Sequence, residues 1–466
     1  MNDNIGIGRG KESALKRVLR MGALAVGFAL AGASFASAGQ DRTALLALLH
    51  DGRFDAARQA LRAGRASGSP DDLFFEAFTT YWRLVFDDDN QELRETLDAE
   101  LDAVIAAAEK AAADDDTGDA RLWGGSSHLL LAELRASQRR PLAAAFEARK
   151  AKHLLESAAT AGADTSDALF GLGTYNYVAD TVPSYVKGLR ALLFLPKGNR
   201  TLGLDQLNTA ASRSRFFALE ARTFLITIFS SKHERQYGRA IEERNRLLEA
   251  FQGTVAAGYA SARLDVSLGR NDAAIETLAR VQDRAARLGD VDPVVLRSLE
   301  LLRARAELAS LRPDLAAGTA ARALASGSGL GHSIAEDLRD VKDKASREAE
   351  GIPWPPPGQS PAAEASAFAA SAAAHPERPI LALLAGDASL RAGSAQDALG
   401  WFERSLASGL PVELQAECRF RQGQAQDLLG RRPEAIALYA GVAATSGFVA
   451  RDGAFYYQQS PFGRAP

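Results

Sequence analysis

The sequence predicts an all-α fold, a right-handed superhelical solenoid of antiparallel helix pairs, and three observations carry that prediction. Alanine fills roughly a fifth of the 466 positions while strand-favouring Val and Ile are sparse, which suits helices and argues against an all-β or doubly wound parallel sheet. Near the C-terminal end, Gly386, Gly393, Ala398 and Phe402 return as Gly423, Gly430, Ala435 and Tyr439, each displaced by 37 residues. The same unit, a glycine elbow followed by an alanine early in a second helix, recurs upstream with Gly269 and Ala274. Four positions moving by one displacement argue against a helical bundle with fortuitous spacing.

The N-terminal 38 residues read as an export signal. Arg9, Lys11, Lys16, Arg17 and Arg20 form a positive region, Met21 to Phe35 an apolar run, and Ala36-Ser37-Ala38 a small-x-small site with cleavage before Gly39. An apolar run of about 15 residues is shorter than the ~20 needed to span a bilayer. No cysteine lies near the cleavage point, which excludes a bacterial lipoprotein. Cleavage removes five Lys/Arg and two Asp/Glu, so the formal charge moves from −3 to −6. The expectation is an exported, periplasmic protein, free or associated with the outer membrane.

A first repeat block is expected over 39–349. It opens with Gly52 and Ala57, contains Ala240 preceding Ala274 by 34 positions, and has weaker pair starts at Arg140-Pro141 and Arg312-Pro313. In each unit the glycine takes a left-handed conformation that turns the chain, and the alanine lets two helix backbones approach closely. The aromatic four residues after the alanine, Phe402 or Tyr439, is expected to fill the wedge between that pair and the next. An insertion around 175–198 interrupts the array: Gly171, Gly173, Pro183, Gly188, Pro196 and Gly198 break helices, while Tyr175, Tyr177, Tyr185 and Phe194 gather aromatics. Between the two prolines, Val186, Leu189, Leu192 and Leu193 fall on one helical face and Lys187 and Arg190 on another.

Residues 350–361 form a proline-rich linker, extended because proline lacks the amide hydrogen and clashes inside helices. Trp354 within it reads as a plug against a neighbouring helix or as a group that enters a partner. A C-terminal repeat block follows over 362–446. The tail, 447–466, carries Phe448, Phe455, Tyr456, Tyr457 and Phe462 without helical spacing and is expected to cap the last repeat or to bind a partner.

The positions Gly386/Gly393/Ala398/Phe402 and Gly423/Gly430/Ala435/Tyr439 resemble the tetratricopeptide repeat family, in the form of an exported bacterial protein with divergent repeats. The chain departs from that pattern where a large aromatic is expected early in the first helix, near Arg419 and Gln426, and where Ser405 stands at the late alanine position. The resemblance implies a protein–protein interaction scaffold and no activity.

Six histidines, at 50, 128, 153, 233, 332 and 375, include no H-E-x-x-H pair. Asp87-Asp88-Asp89-Asn90 and Asp114-Asp115-Asp116 lack the alternate spacing and terminal glutamate of a calcium loop. The glycine-rich stretch Ser326 to His332 follows a helix, not a strand, and no Lys-Ser/Thr succeeds it. The single cysteine, Cys418, excludes intramolecular disulfides and reads as a small buried hydrophobe. A net charge of −3 removes the case for a general nucleic-acid binder.

The expected function is therefore a non-enzymatic scaffold, without cofactor or metal, that holds a protein or peptide in its concave groove through Tyr175, Tyr177, Tyr185, Lys187 and Arg190. The alternative is a lipid or small-molecule carrier with an apolar pocket near 183–196. Peripheral membrane association is compatible with both readings.

Overall fold

The computed structural model describes residues 42–63, 68–114, 118–161, 163–181, 197–327, 330–356, 358–445 and 451–463. The expected export signal and the 183–196 segment lie outside these. Among the described residues there are twenty-one α-helices and no strand. They run as α1 (Arg42–His50) and α2 (Phe54–Ala63), α3 (Pro70–Phe86) and α4 (Gln91–Asp114), α5 (Gly118–Ser137) and α6 (Pro141–Thr160), and α7 (Thr165–Thr181) and α8 (Arg200–Arg213). Then come α9 (Ala218–Ser230) and α10 (Tyr237–Ala250), α11 (Val255–Ser267) and α12 (Asn271–Leu288), and α13 (Pro293–Ala309) and α14 (Pro313–Ala325). The chain ends with α15 (His332–Ala349), α16 (Pro361–Ala374), α17 (Pro379–Arg391), α18 (Ala395–Ala407), α19 (Val412–Leu428), α20 (Arg432–Ala444) and α21 (Arg451–Gln459). Consecutive helices pack on one another, save α15 and α16 across the proline-rich stretch, and the first helices of neighbouring pairs, such as α9, α11 and α13, also touch, which makes an all-α solenoid.

Seven of the pairs are set by an elbow. Gly52, Gly269, Gly393 and Gly430 have φ of 69°, 69°, 82° and 74°, the left-handed conformation expected of them. Arg139, Arg235 and Leu311 occupy equivalent elbows at φ of 60°, 47° and 55° without glycine's freedom. The pair start read around Ala240 thus turns at Arg235, while Gly238 lies inside α10. At six of these elbows the amide after the left-handed residue donates to the carbonyl five positions back, as in Arg270 to Asp265 at 2.8 Å and Arg431 to Gln426 at 2.9 Å. This bond satisfies a carbonyl that the ending helix would otherwise leave open. Five residues beyond each elbow stands an alanine, and Ala57, Ala144, Ala240, Ala274, Ala316, Ala398 and Ala435 are all buried.

The aromatic after the alanine packs inward, onto its own pair. A Cβ at Gly386 would lie 2.5 Å from Phe402 Cε1, and one at Gly423 2.5 Å from Tyr439 Cε1, so each ring is seated on a glycine of its first helix. Tyr439 also stacks on Tyr457, with ring centroids 5.6 Å apart, and so reaches the next element, α21. Trp354 is a plug: its ring meets Phe368 edge-on at 5.5 Å and its indole N–H donates to the Ala349 carbonyl.

The solenoid closes on itself. The elbow of the first pair sits against the edge formed by α11, α12 and α13. Asp51 accepts from Arg284 at 2.7 and 2.8 Å and from the Val255 amide at 3.3 Å. The Gly52 carbonyl accepts from the Asp292 amide at 2.8 Å, and Arg53 grips Asp290 with two bonds. Deeper in, α3 lays Phe86 against Tyr259 of α11, and Phe74 and Phe75 against Phe217 and Phe216 just before α9. Of the tail aromatics, Phe455, Tyr456 and Tyr457 lie in α21, Phe462 follows it in a turn, and Phe448 lies outside the described residues; α21 packs on elbows at the middle of the chain. Gly453 abuts the Leu268 carbonyl, Arg235 lies 3.9 Å above the Phe455 ring, and Gln459 donates to the Arg235 carbonyl. Arg421 of α19 reaches the Ala309 carbonyl at 2.9 Å.

The elbows make a direct prediction. Nothing lies within 4 Å of a Cβ at Gly393, so Gly393→Ala adds only left-handed strain, about 1 kcal/mol. Gly52→Ala adds a contact of 2.9 Å to Val295 and is expected to cost more. Arg139→Gly, at an exposed elbow, is expected to stabilise by about 0.5–1 kcal/mol. Urea denaturation midpoints measure all three, and a neutral Gly52→Ala would contradict the close seating of the first elbow.

Candidate functional site

Of the five residues expected to line a binding groove, two are described. Tyr175 and Tyr177 lie on α7, 7% and 6% exposed, between α6 and α8. Lys152 Nζ sits 5.8 Å from the Tyr175 ring centre. The Tyr177 hydroxyl donates to Glu234 at 3.1 Å, and Arg200 of α8 donates to the same carboxylate through Nε at 2.7 Å. Burial pushes the Glu234 carboxyl up, but the bonds and charge of Arg200 outweigh it and hold it below the usual range. The trio ties α7 and α8 to the elbow before α10, so neither tyrosine stands on an open surface. Tyr185, Lys187 and Arg190 lie outside the described residues, as does the apolar segment of the carrier reading.

The faces of the first helices are likewise not open where α1 and α3 lie against the array. The first helices there are buried nearly all round: in α9, ten of the thirteen residues from Ala218 to Ser230 are buried. Ionisable groups buried or half-buried around this interior are displaced from their ordinary behaviour. Burial raises Glu133 to about 7 although the Tyr81 hydroxyl donates to it at 3.1 Å. Glu220, fully buried, is held well above the carboxylate range by burial. Asp167 is raised to about 6 by burial, against bonds from the Ser214 hydroxyl and the Phe216 amide. His50 is lowered to about 4 by burial. Cys418, buried with its thiol 3.6 Å from the Phe402 carbonyl, is pushed up to about 12, which suits a hydrophobe better than a nucleophile. Among the described residues, no three His, Cys, Asp or Glu are grouped to hold a metal ion, and no helix is long and apolar enough to cross a membrane.

One open feature with a defined shape is a groove of about 430 Å³ where α10 ends and α11 and α12 pass. Leu248, Gly258 and Val281 give it an apolar floor, and Thr254 and Thr277 supply hydroxyls. Its rim carries Arg280, Arg284 and Arg287 against Asp283. Arg284 is engaged by Asp51, and Arg280 pairs with Glu276 on the same helix, both side chains more than half exposed. Such a surface can take an apolar side chain beside a carboxylate. The sequence reading passed over it because no motif marks it. The one signal available was the spacing of Arg280, Arg284 and Arg287, which puts three guanidiniums on one face of a helix.

Elbows, buried alanines and stacked pairs together define a helical-repeat protein of the all-α solenoid class. No family model matches the chain, and no curated protein matches it. Among solved structures it is similar to a monomeric mutant of IFIT1 with Gppp-AAAA, at 13% identity over 88% of this chain and 85% of that one, TM-score 0.26. It is also similar to the APC/C hetero-tetramer Cut9–Hcn1, at 12% identity over 87% of this chain and 88% of that one, TM-score 0.21. The class assignment rests on the helices themselves, not on these superpositions.

The trapped ionisable groups set a pH optimum for stability. Glu133 favours its neutral form in the fold, so stability falls as pH rises from the unfolded carboxylate range through about 7, by on the order of 2 kcal/mol. His50 is kept neutral, so stability falls in the other direction, as pH drops from its ordinary 6.5 through about 4. Glu133→Gln is therefore expected to gain on the wild type between pH 4.5 and 8, and His50→Gln between pH 6.5 and 4. Thermal melts across that range measure this; a pH-independent difference would contradict the burial of either group.

Proposed function

We propose that this chain is a non-catalytic helical-repeat scaffold that binds a protein or peptide partner in the cell envelope, reached through cleavage of its N-terminal 38 residues. The observation that carries the binding reading is the arginine-rimmed groove between α10, α11 and α12, with its apolar floor. Because the chain's own α1 and α3 pack against the first helices α11 and α13, the partner engages an outer edge. Its recognition element is an acidic segment or chain end whose carboxylate meets Arg280 and Arg287 while an apolar side chain rests on Leu248 and Val281. The composition supports export: one cysteine, an acidic mature chain, and a basic then apolar N-terminus ending in Ala36-Ser37-Ala38.

Crosslinking of the tagged protein in the envelope fraction, with mass spectrometry of what co-purifies, tests the binding reading. One stoichiometric protein is expected with the wild type, and at least about tenfold less of it with Arg280→Glu/Arg287→Glu, a change of about 1.4 kcal/mol. Equal recovery with that variant would remove the groove from the interface. Separately, N-terminal sequencing of the envelope protein is expected to begin at Gly39. A chain that retains Met21–Phe35 in the cytosol would overturn the location and leave the groove untouched.

A further inference from the structure

Helix α6 carries a surface that neither the fold nor the groove uses. Its buried side, Ala144, Ala151, Leu155 and Ala158, faces inward, and on a helix those positions lie opposite Leu142, Phe146, Arg149 and Lys150. Leu142 is 49% exposed and Phe146 46%, one turn apart. They are two of the few large apolar side chains left exposed among the described residues, and they share one helix face. Cations bracket them: Arg139 and Arg140 at the elbow before the helix, Arg149 and Lys150 about one turn beyond Phe146, all exposed.

The charge of this stripe runs against that of the chain. Of its four cations, Lys150 alone has an acidic neighbour among the described residues, Glu147 at 3.6 Å. Glu147 in turn is held toward the interior by His128 at 2.6 Å. Further along, Glu156 is balanced by Lys152. An exposed Leu–Phe pair between two clusters of Arg and Lys is the chemistry of a helix that lies in a lipid headgroup region, with its apolar side chains at the acyl boundary and its cations at the phosphates. Pro141 at the first helical position and the preceding left-handed Arg139 fix the entry, so the stripe is preformed and loses little freedom on docking.

We propose that the outer face of α6, through Leu142 and Phe146 flanked by Arg139, Arg140, Arg149 and Lys150, docks the protein on an anionic lipid surface. The attachment is peripheral and reversible, because two apolar side chains and four cations are far from the ~20-residue apolar span of a membrane-crossing helix. It adds a membrane contact to the scaffold reading but rests on different residues, so either can fail alone.

Co-sedimentation with vesicles tests it, using purified protein in forms that all share one N-terminus. The wild type is expected to bind vesicles of phosphatidylcholine with 30% phosphatidylglycerol at ~0.1 M salt, and to lose at least about fivefold of that binding in phosphatidylcholine alone or at ~0.5 M salt. Leu142→Gln/Phe146→Gln and Arg149→Glu/Lys150→Glu, both at exposed positions, are expected to keep wild-type circular dichroism and each to lose at least about fivefold of the binding. Arg280→Glu/Arg287→Glu, in the groove, is expected to bind vesicles as the wild type does. Absence of binding to anionic vesicles, or equal binding by wild type and both α6 variants, would overturn the proposal. So would loss of a co-purifying protein, with vesicle binding unchanged, in the α6 variants, which would assign the face to a protein partner.

Discussion

Two helix backbones held close together at each elbow are the constraint from which the architecture follows. A left-handed residue turns the chain, its successor's amide closes back on the ending helix, and an alanine five positions on gives the returning helix nothing to stand off with. Where glycine is absent, at Arg139, Arg235 and Leu311, the turn persists at a cost of about 1–2 kcal/mol each, offset by packing of the pair it creates. Proline after the elbow, as at Pro141, Pro313 and Pro433, sits at the start of the returning helix, where its missing amide hydrogen is not needed.

Stacking such pairs leaves a concave side and two ends, and this chain covers much of that surface with its own helices. The first pair and α3 return to α9–α13 with a layer of phenylalanines beneath and bidentate ion pairs at the rim. The last helix settles on elbows of the middle pairs. Burying aromatic rings supplies the gain, while the rim charges fix the register, since buried or half-buried Arg–Asp pairs discriminate between alignments more than they stabilise. The same closure strands Glu220, Glu133 and His50 in low-dielectric surroundings, which is why their protonation is displaced although no reaction is evident around them. Open surface is thereby left at edges such as the α10–α12 groove and on exposed faces of second helices.

Much of the repeat could be read directly. Gly52, Gly269, Gly393 and Gly430 take the left-handed turns their spacing implied, and the paired alanines are buried. The site was far less legible. Tyr175 and Tyr177, conspicuous among broken helices, prove to be buried, Tyr177 within the bonds that join α7 and α8 to the following elbow. An aromatic cluster looks the same in sequence whether it faces solvent or a neighbouring helix, because one helix's periodicity does not say what covers its second face. The elbow at Arg235 was hidden by a nearby Gly238, although the alanine five residues on marked the true position.

By itself, then, the sequence determined what is local: that the chain is helical, where it turns, and which small residue lets each pair close. Backbone propensity, left-handed conformations and near-neighbour sterics act over a few positions and leave a pattern there. Tertiary structure alone decided that Asp51 meets Arg284 across 233 positions, that α3 covers the array, and that α6 turns an apolar, basic face outward. Those outcomes depend on which surfaces meet when the pairs accumulate their rotation, and no single residue spacing encodes that sum.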